Sequence, residues 1–239
     1  MRVPMLCYHR IEELPPHAPG DTNFVPPAHF AAHLAALARL GFHGVTVNDV
    51  LEWKAGRKAL PPRPIAITFD DAYDSVVTTA LPLMSVHRWP ATVYAISGYL
   101  GARNTWDQGA SPARHLDAAA LRTLLANGHD VGSHTRHHKR VRGLAGADLH
   151  EELASSKDDL EQQLGAACTS FAFPYGSHNR AVLDATQAAG YHGACTLKRW
   201  ANGRRTNAFR LGRLSVGGPV PAWLLLAKVA KLMLTPAAN

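Results

Sequence analysis

The stretch IAITFDDAYD, Ile65 to Asp74, joins an apolar β-branched run to a pair of adjacent carboxylates. Entered from the loop Pro61-Pro62-Arg63-Pro64, such a run predicts a buried strand of a parallel sheet, with Asp70 and Asp71 at its C-terminal edge. Parallel α/β folds place their chemistry at that edge. If both aspartates are extended, their side chains leave the backbone on opposite sides, so one can hold a metal ion while the other takes a proton from water. Two aspartates after a strand also serve simply to cap the following helix.

The rest of the chain repeats the strand-then-helix pattern. Strands are predicted over Val3–Tyr8, Phe42–Val47, Pro90–Ile96, His129–Ser133, Thr169–Phe173, Tyr191–Thr196 and Leu211–Val216. Helices are predicted over Ala28–Leu40, Val50–Ala55 (capped by Asn48 or Asp49), Tyr73–His87 with a bend at Pro82, Asp117–Ala126, Asp148–Leu164, Asn179–Ala189 and Ala222–Leu234. The Asp148–Leu164 helix has leucines on one stripe and acids elsewhere, which predicts an exposed amphipathic helix. Two long loops, Glu12–Pro27 and Gly98–Leu116, should lie on the rim, the second carrying Trp106 and Asp107. This order predicts an α/β fold, a single-domain distorted (β/α) barrel of seven or eight strands over residues 1–239, with 221–239 as a C-terminal amphipathic helix and tail.

Composition narrows the function classes. Lys+Arg 25 against Asp+Glu 18 gives a net charge of +7, which favours anionic partners. Neither a recognition-helix motif nor aromatic-basic interleaving supports nucleic acid as that partner. Three cysteines, Cys7, Cys168 and Cys195, have no paired spacing, so reduced thiols are expected. No run approaches the roughly 20 apolar residues of a spanning helix. The short patch after Met1-Arg2 is broken by Pro4, too brief for a signal-peptide core, and a cytoplasmic protein is the expectation.

His134 and His138 follow the strand HDVGS and stand four apart, a spacing at which two imidazoles can meet one cation. Fourteen histidines in 239 residues give roughly 0.8 such pairs by chance, and His29 with His33 inside a helix is one with no acid beside it. His134 and His138 differ because they sit at a strand end, as Asp71 does. Together the three make a two-imidazole, one-carboxylate set, the donors of a catalytic zinc or related ion, which would lower the pKa of its water towards about 7. Asp70 is then the candidate base, and His9, delivered to the same rim by the first strand, the candidate acid. Pro174-Tyr175-Gly176 could aim the Tyr175 N–H at an oxyanion, or be a plain turn.

The strings TFDDAYD, GSHTRHH and FAFPYG, in that order, resemble the three leading motifs of the polysaccharide deacetylase family, carbohydrate esterase family four. YHRI, Tyr8 to Ile11, resembles the branch with an N-terminal Tyr-His-x-Ile element. The resemblance spans about Met5 to Val216. It implies a distorted barrel that removes N-acetyl groups from amino sugars using one divalent metal, Zn2+ first and Co2+, Ni2+ or Fe2+ as alternatives. By carry-over Asp70 is the base, Asp71, His134 and His138 the metal ligands, Tyr175 the main-chain oxyanion donor and His9 the acid. Pro174, Trp106 and Arg213 are expected at the substrate. Two positions depart from the family pattern: Ala72 stands where Gly is usual, and Ala172 where many members carry an arginine that orients the base. FRLGRL offers Arg213 but no histidine for a later family motif, which strengthens the case for His9 as proton donor.

The closing PAWLLLAKVAKLML follows a basic cluster and has only Lys228 and Lys231 as polar residues. It suits a helix packed on the barrel, and also one lying in an anionic membrane surface, which would bring the protein to a lipid- or nucleotide-linked glycan on the inner face of the membrane. The rival from another class is a catalytically inactive carbohydrate-binding protein on the same barrel. A Cys7-His9 thiol hydrolase has no reinforcing motif.

Overall fold

The computed structural model describes residues 1–13, 23–105 and 112–235. In chain order the elements are β1 (Met5–Tyr8), α1 (Pro27–Arg39), β2 (His43–Val45), α2 (Val47–Lys54), β3 (Pro64–Phe69), α3 (Leu81–Ser85), β4 (Thr92–Ala95) and α4 (Ala118–Ala126). There follow β5 (Asp130–Ser133), α5 (Gly146–His150), α6 (Ser156–Leu164), β6 (Ser170–Ala172), α7 (Arg180–Ala188), β7 (Gly193–Cys195), β8 (Leu214–Ser215) and α8 (Ala222–Leu234). Eight parallel strands form one sheet in the order β7-β6-β5-β4-β3-β1-β8, with β2 beside the start of β3. The sheet curls into a distorted barrel. Its open side is narrowed where Cys195 bridges Leu211, just ahead of β8.

Side-chain parity separates two cores. On β1 and β3, Leu6, Tyr8, Ile65, Ile67 and Phe69 point outward and pack with Phe30, Leu34 and Leu37 of α1. Met5 and Ala66 point inward, where they meet Tyr94, Ala172 and Cys195 from β4, β6 and β7. The lumen is therefore a filled core, and the rim above it is free for chemistry.

The lower mouth is closed by α2. Thr46 caps this helix in a reciprocal box with Asp49, so the helix begins three residues before the predicted start and neither Asn48 nor Asp49 is its cap. The Val47 and Asn48 amides donate to Thr92 Oγ1 (2.8 Å) and Asp130 Oδ2 (3.0 Å), tying α2 to the starts of β4 and β5. Leu51 packs so closely on Gly193 that a Cβ there would stand 2.4 Å from Leu51 Cδ2. The predicted Tyr73–His87 helix is shorter than its apolar pattern. Asp71 and Ala72 are left-handed, and Val76–Ala80 is a π turn that hands over to α3 where Pro82 has no N–H to donate.

Asp130 gives the fold a pH signature. Burial pushes its carboxyl up to about 6, against the Asn48 N–H that favours the ionised form. Between about pH 4 and 6 the folded state holds a proton that the unfolded chain has lost, so stability declines as pH rises through that window. Asp130→Asn keeps an acceptor for Asn48 and should raise stability at pH 7 by roughly 1–3 kcal/mol, the gain vanishing near pH 4. Urea unfolding of both proteins at the two pH values measures it.

Candidate active site

The inward parity of β3, Ala66 and Thr68, continues to Asp70, and that of β1 continues through Cys7 to His9. Asp70 therefore looks down into the top of the lumen, where Arg213 meets it in a two-pronged pair, Nη1 to Oδ1 at 2.6 Å and Nη2 to Oδ2 at 2.8 Å. The guanidinium, fully buried, also donates to Thr68 Oγ1 (3.1 Å) and the Thr196 carbonyl (3.2 Å) and lies 5.4 Å from the Tyr94 ring centre. Burial alone would raise the Asp70 pKa; the Arg213 charge outweighs it and brings the carboxyl down to about 2. This corrects two expectations. Arg213 is fully buried beneath Asp70 and not at the surface of the rim, and the arginine missing at Ala172 has a counterpart in Arg213, the residue before β8. One sequence signal pointed there: an arginine within the largely apolar Leu211–Val216 strand, if buried, has to find a carboxylate.

Asp71 is not extended. Its φ of 70° and the 52° of Ala72 turn the chain sharply after β3, and this turn, not strand alternation, separates the two carboxylates. At Ala72 a glycine would adopt the same angle without the cost to a Cβ. Asp71 Oδ1 lies 3.3 Å from His138 Nε2 and 3.5 Å from His134 Nε2. His134 Nδ1 is 2.8 Å from the Ala172 carbonyl, which only accepts, so Nδ1 carries the proton and Nε2 presents a lone pair. Burial lowers the His134 pKa to about 4, against the pull of Asp70 and Asp71, so the ring is neutral at pH 7. Asp71 Oδ1 is buried and accepts no hydrogen bond of good geometry. Among the described residues Asp71, His134 and His138 each turn a ligand atom to one space, and a divalent cation fits that donor set.

His9 sits beside Asp70: one imidazole nitrogen, Cys7 Sγ and an Asp70 carboxylate oxygen all lie within 4.8 Å of one another. Cys7 donates to Asp70 Oδ2 at 3.3 Å, and burial pushes its thiol well up, so it is a neutral partner of the carboxylate. Tyr175 occupies a left-handed turn (φ 59°), 48% exposed, with its hydroxyl 3.2 Å from His138 Nδ1 and the Arg140 guanidinium 3.7 Å over its ring. Pro174 is buried at the start of that turn, fixing the chain and not facing a substrate. Trp106 lies outside the described residues. Two contributors were missed by sequence reasoning. His115, at the end of the long loop, has Nδ1 2.6 Å from the Asp71 carbonyl and stacks on Tyr73. Glu152 underlies the His134–His138 loop.

A parallel barrel with two imidazoles and a carboxylate converging at its C-terminal rim, beside a second buried carboxylate, is the architecture of a metal-dependent hydrolase. The polysaccharide deacetylase family model matches residues 57–194, more than half the chain, and the chain belongs to that family. It is 25% identical over 215 residues to YxkH of Bacillus subtilis strain 168, covering 90% of this chain and 71% of that protein. It is 23% identical over 176 residues to the poly-β-1,6-N-acetyl-D-glucosamine N-deacetylase of Staphylococcus aureus, covering 72% of this chain and 60% of that longer protein. Streptococcus pyogenes deacetylase PplD, solved in complex with acetate, superposes with a TM-score of 0.83 at 20% identity over 95% of this chain and 98% of that one, showing the shared fold.

The Asp70–Arg213 pair makes a stability prediction. Arg213→Met leaves a buried carboxylate unpaired and should cost roughly 3–5 kcal/mol in urea unfolding, while Arg213→Met with Asp70→Asn should recover most of that. Equal losses in the single and double variants would mean that the pair is not what Arg213 serves.

Proposed function

We propose that this protein is a metal-dependent N-deacetylase that hydrolyses the acetamido group of N-acetylated amino sugars, on a polysaccharide or on a lipid- or nucleotide-linked glycan precursor. The observation that carries the reading is the division of labour between neighbouring buried carboxylates: Asp70 is neutralised by Arg213, and Asp71 faces two imidazoles with an unsatisfied oxygen. Asp71, His134 and His138 would hold the ion, for which two nitrogens and one carboxylate favour zinc. When bound, the ion supplies acidified water and polarises the amide carbonyl. Asp70 takes the proton at its carboxylate. A carboxylate held near 2 is a weak base by itself, which is why the reading requires an ion beside it. His9 returns a proton to the departing amine, and the Tyr175 N–H donates to the oxygen that gains charge. The poly-N-acetylglucosamine substrate in the name of the Staphylococcus aureus relative supports an amino-sugar polymer as the substrate class.

Metal analysis paired with acetate release tests this. Wild type and Asp70→Asn should each carry one zinc per chain, with release from N-acetylglucosamine oligomers falling at least about 100-fold in the variant. Metal without turnover in the wild type, together with retained sugar binding, would favour the inactive carbohydrate-binding alternative.

We further propose a peripheral contact with anionic membrane through α8. Its inner face, Leu225, Val229 and Leu232, is buried on the barrel, so the packed-helix reading holds for that side. Its outer face leaves Trp223 70% and Leu234 82% exposed, with Lys228 and Lys231 also exposed. No acidic residue occurs on α8 or on the neighbouring α1. Aromatic and leucine side chains beside lysines are the composition that docks in anionic lipid. No helix among the described residues is long and apolar enough to cross a membrane. The protein should float with phosphatidylglycerol vesicles and not with phosphatidylcholine vesicles, and Trp223→Ala with Lys228→Glu and Lys231→Glu should stay in the soluble fraction. Equal recovery of both proteins with the anionic vesicles would remove this contact.

A further inference from the structure

The segment from Gly146 to Leu164 runs as α5, a π turn over Glu151–Ser155, and α6. Its leucines Leu149, Leu153, Leu160 and Leu164 enter the core, as the sequence pattern predicts. The acids do not all face solvent, however. Glu152 is fully buried, and with Ser156 and Asp159 it forms a second stripe spaced four and three apart, on one side of the helix.

That stripe grips the loop carrying His134 and His138. Glu152 Oε2 accepts from two successive peptide amides, Arg136 N at 3.2 Å and His137 N at 2.9 Å. Glu152 Oε1 takes His137 Nδ1 at 2.9 Å, and the Lys139 ammonium stands 3.4 Å away. One turn on, Ser156 Oγ is 2.7 Å from the hydroxyl of Ser133, the residue before His134. Asp159 pairs with Arg136 Nε at 3.1 Å and accepts from Ser97 Oγ at 3.0 Å. The loop needs such a grip. Thr135 (φ 70°) and His138 (φ 58°) are both left-handed, and for a β-branched threonine that conformation is an outlier which persists only when its surroundings impose it.

We propose that Glu152 is a positioning residue for the metal site: its carboxylate, by binding the two amides midway between His134 and His138, holds both imidazoles in the geometry that meets Asp71. This rests on the reading that Asp71, His134 and His138 hold the ion. The helix thus serves as a rigid former for the loop, and the π turn, a feature common at functional sites, carries the former's central group.

Cobalt(II) alone is the probe, with affinity read by competition against a chromophoric chelator and geometry by the visible absorption bands of the bound ion. Relative to wild type, Glu152→Ala should lose about 10–100-fold in cobalt affinity and shift the absorption bands. Glu152→Gln, which keeps one acceptor for the amides, should recover part of the loss. Leu153→Ala, which weakens the same helix from its core side, should lower the melting temperature without changing cobalt affinity. Wild type that binds no cobalt would defeat the metal reading itself. Stoichiometric binding by wild type with equal affinity and spectrum in Glu152→Gln and Glu152→Ala would overturn the positioning role alone. If Glu152→Ala does not fold, Glu152→Leu, which fills the space without an acceptor, decides, and wild-type affinity there overturns the proposal.

Discussion

Two like charges on adjacent residues, both buried, have to be compensated separately, and most of the rim is arranged around that requirement. Asp70 is compensated from below by a fixed cation, the fork of Arg213, inside the lumen. Asp71 is turned the other way and faces the imidazoles of His134 and His138. A burial cost of several kcal/mol per uncompensated carboxylate gives the second arrangement an affinity for positive charge in the space the three groups share. The same division sets the two carboxylates apart: one is locked by the two-pronged Arg213 pair, the other faces imidazoles that could share an ion with it.

The backbone supplies the directions that side-chain alternation cannot. Of the non-glycine residues with positive φ, Asp71, Ala72, Thr135, His138 and Tyr175 all belong to this site. Each turns the chain abruptly just after a parallel strand, where the next amide would otherwise continue upward and away. Such conformations cost on the order of 1–3 kcal/mol each. They persist because neighbours fix them: the His115 imidazole at the Asp71 carbonyl, Thr135 Oγ1 accepting from the His138 amide at 2.8 Å, and the Glu152 carboxylate under the loop. The rigid barrel below and the helix at the side do the holding, so the rim can be irregular without being loose.

The lower mouth has a different character. There α2 is tied to strand starts by the Thr92 hydroxyl and the Asp130 carboxyl, and Asp130, pushed up by burial, holds its proton more firmly than an exposed aspartate does. Aspartates at the two ends of one barrel thus take opposite shifts, down where an arginine faces the carboxyl and up where burial outweighs the amide and hydroxyl donors around it.

The alternation of apolar strands with periodic helices was legible in the sequence, because each strand is buried on both faces and each helix on one. So were the chemical identities at the strand ends, since aspartates and histidines following apolar runs have few structural uses there. The order of strands also placed His9 on the same rim as Asp70. What the sequence could not hold was the turn that separates Asp70 from Asp71 or the partners of Asp70 and Glu152, because these depend on groups such as Arg213 and His137, 143 and 15 positions from those they bind. Arg213 looked like a substrate contact until β8 closed beside β1. Glu152 looked like one more solvated acid on an amphipathic helix until that helix was laid against the histidine loop. Local pattern determined which elements form and what chemistry they carry; only tertiary packing decided which carboxylate is locked, which is left open for an ion, and what holds the loop between the two imidazoles.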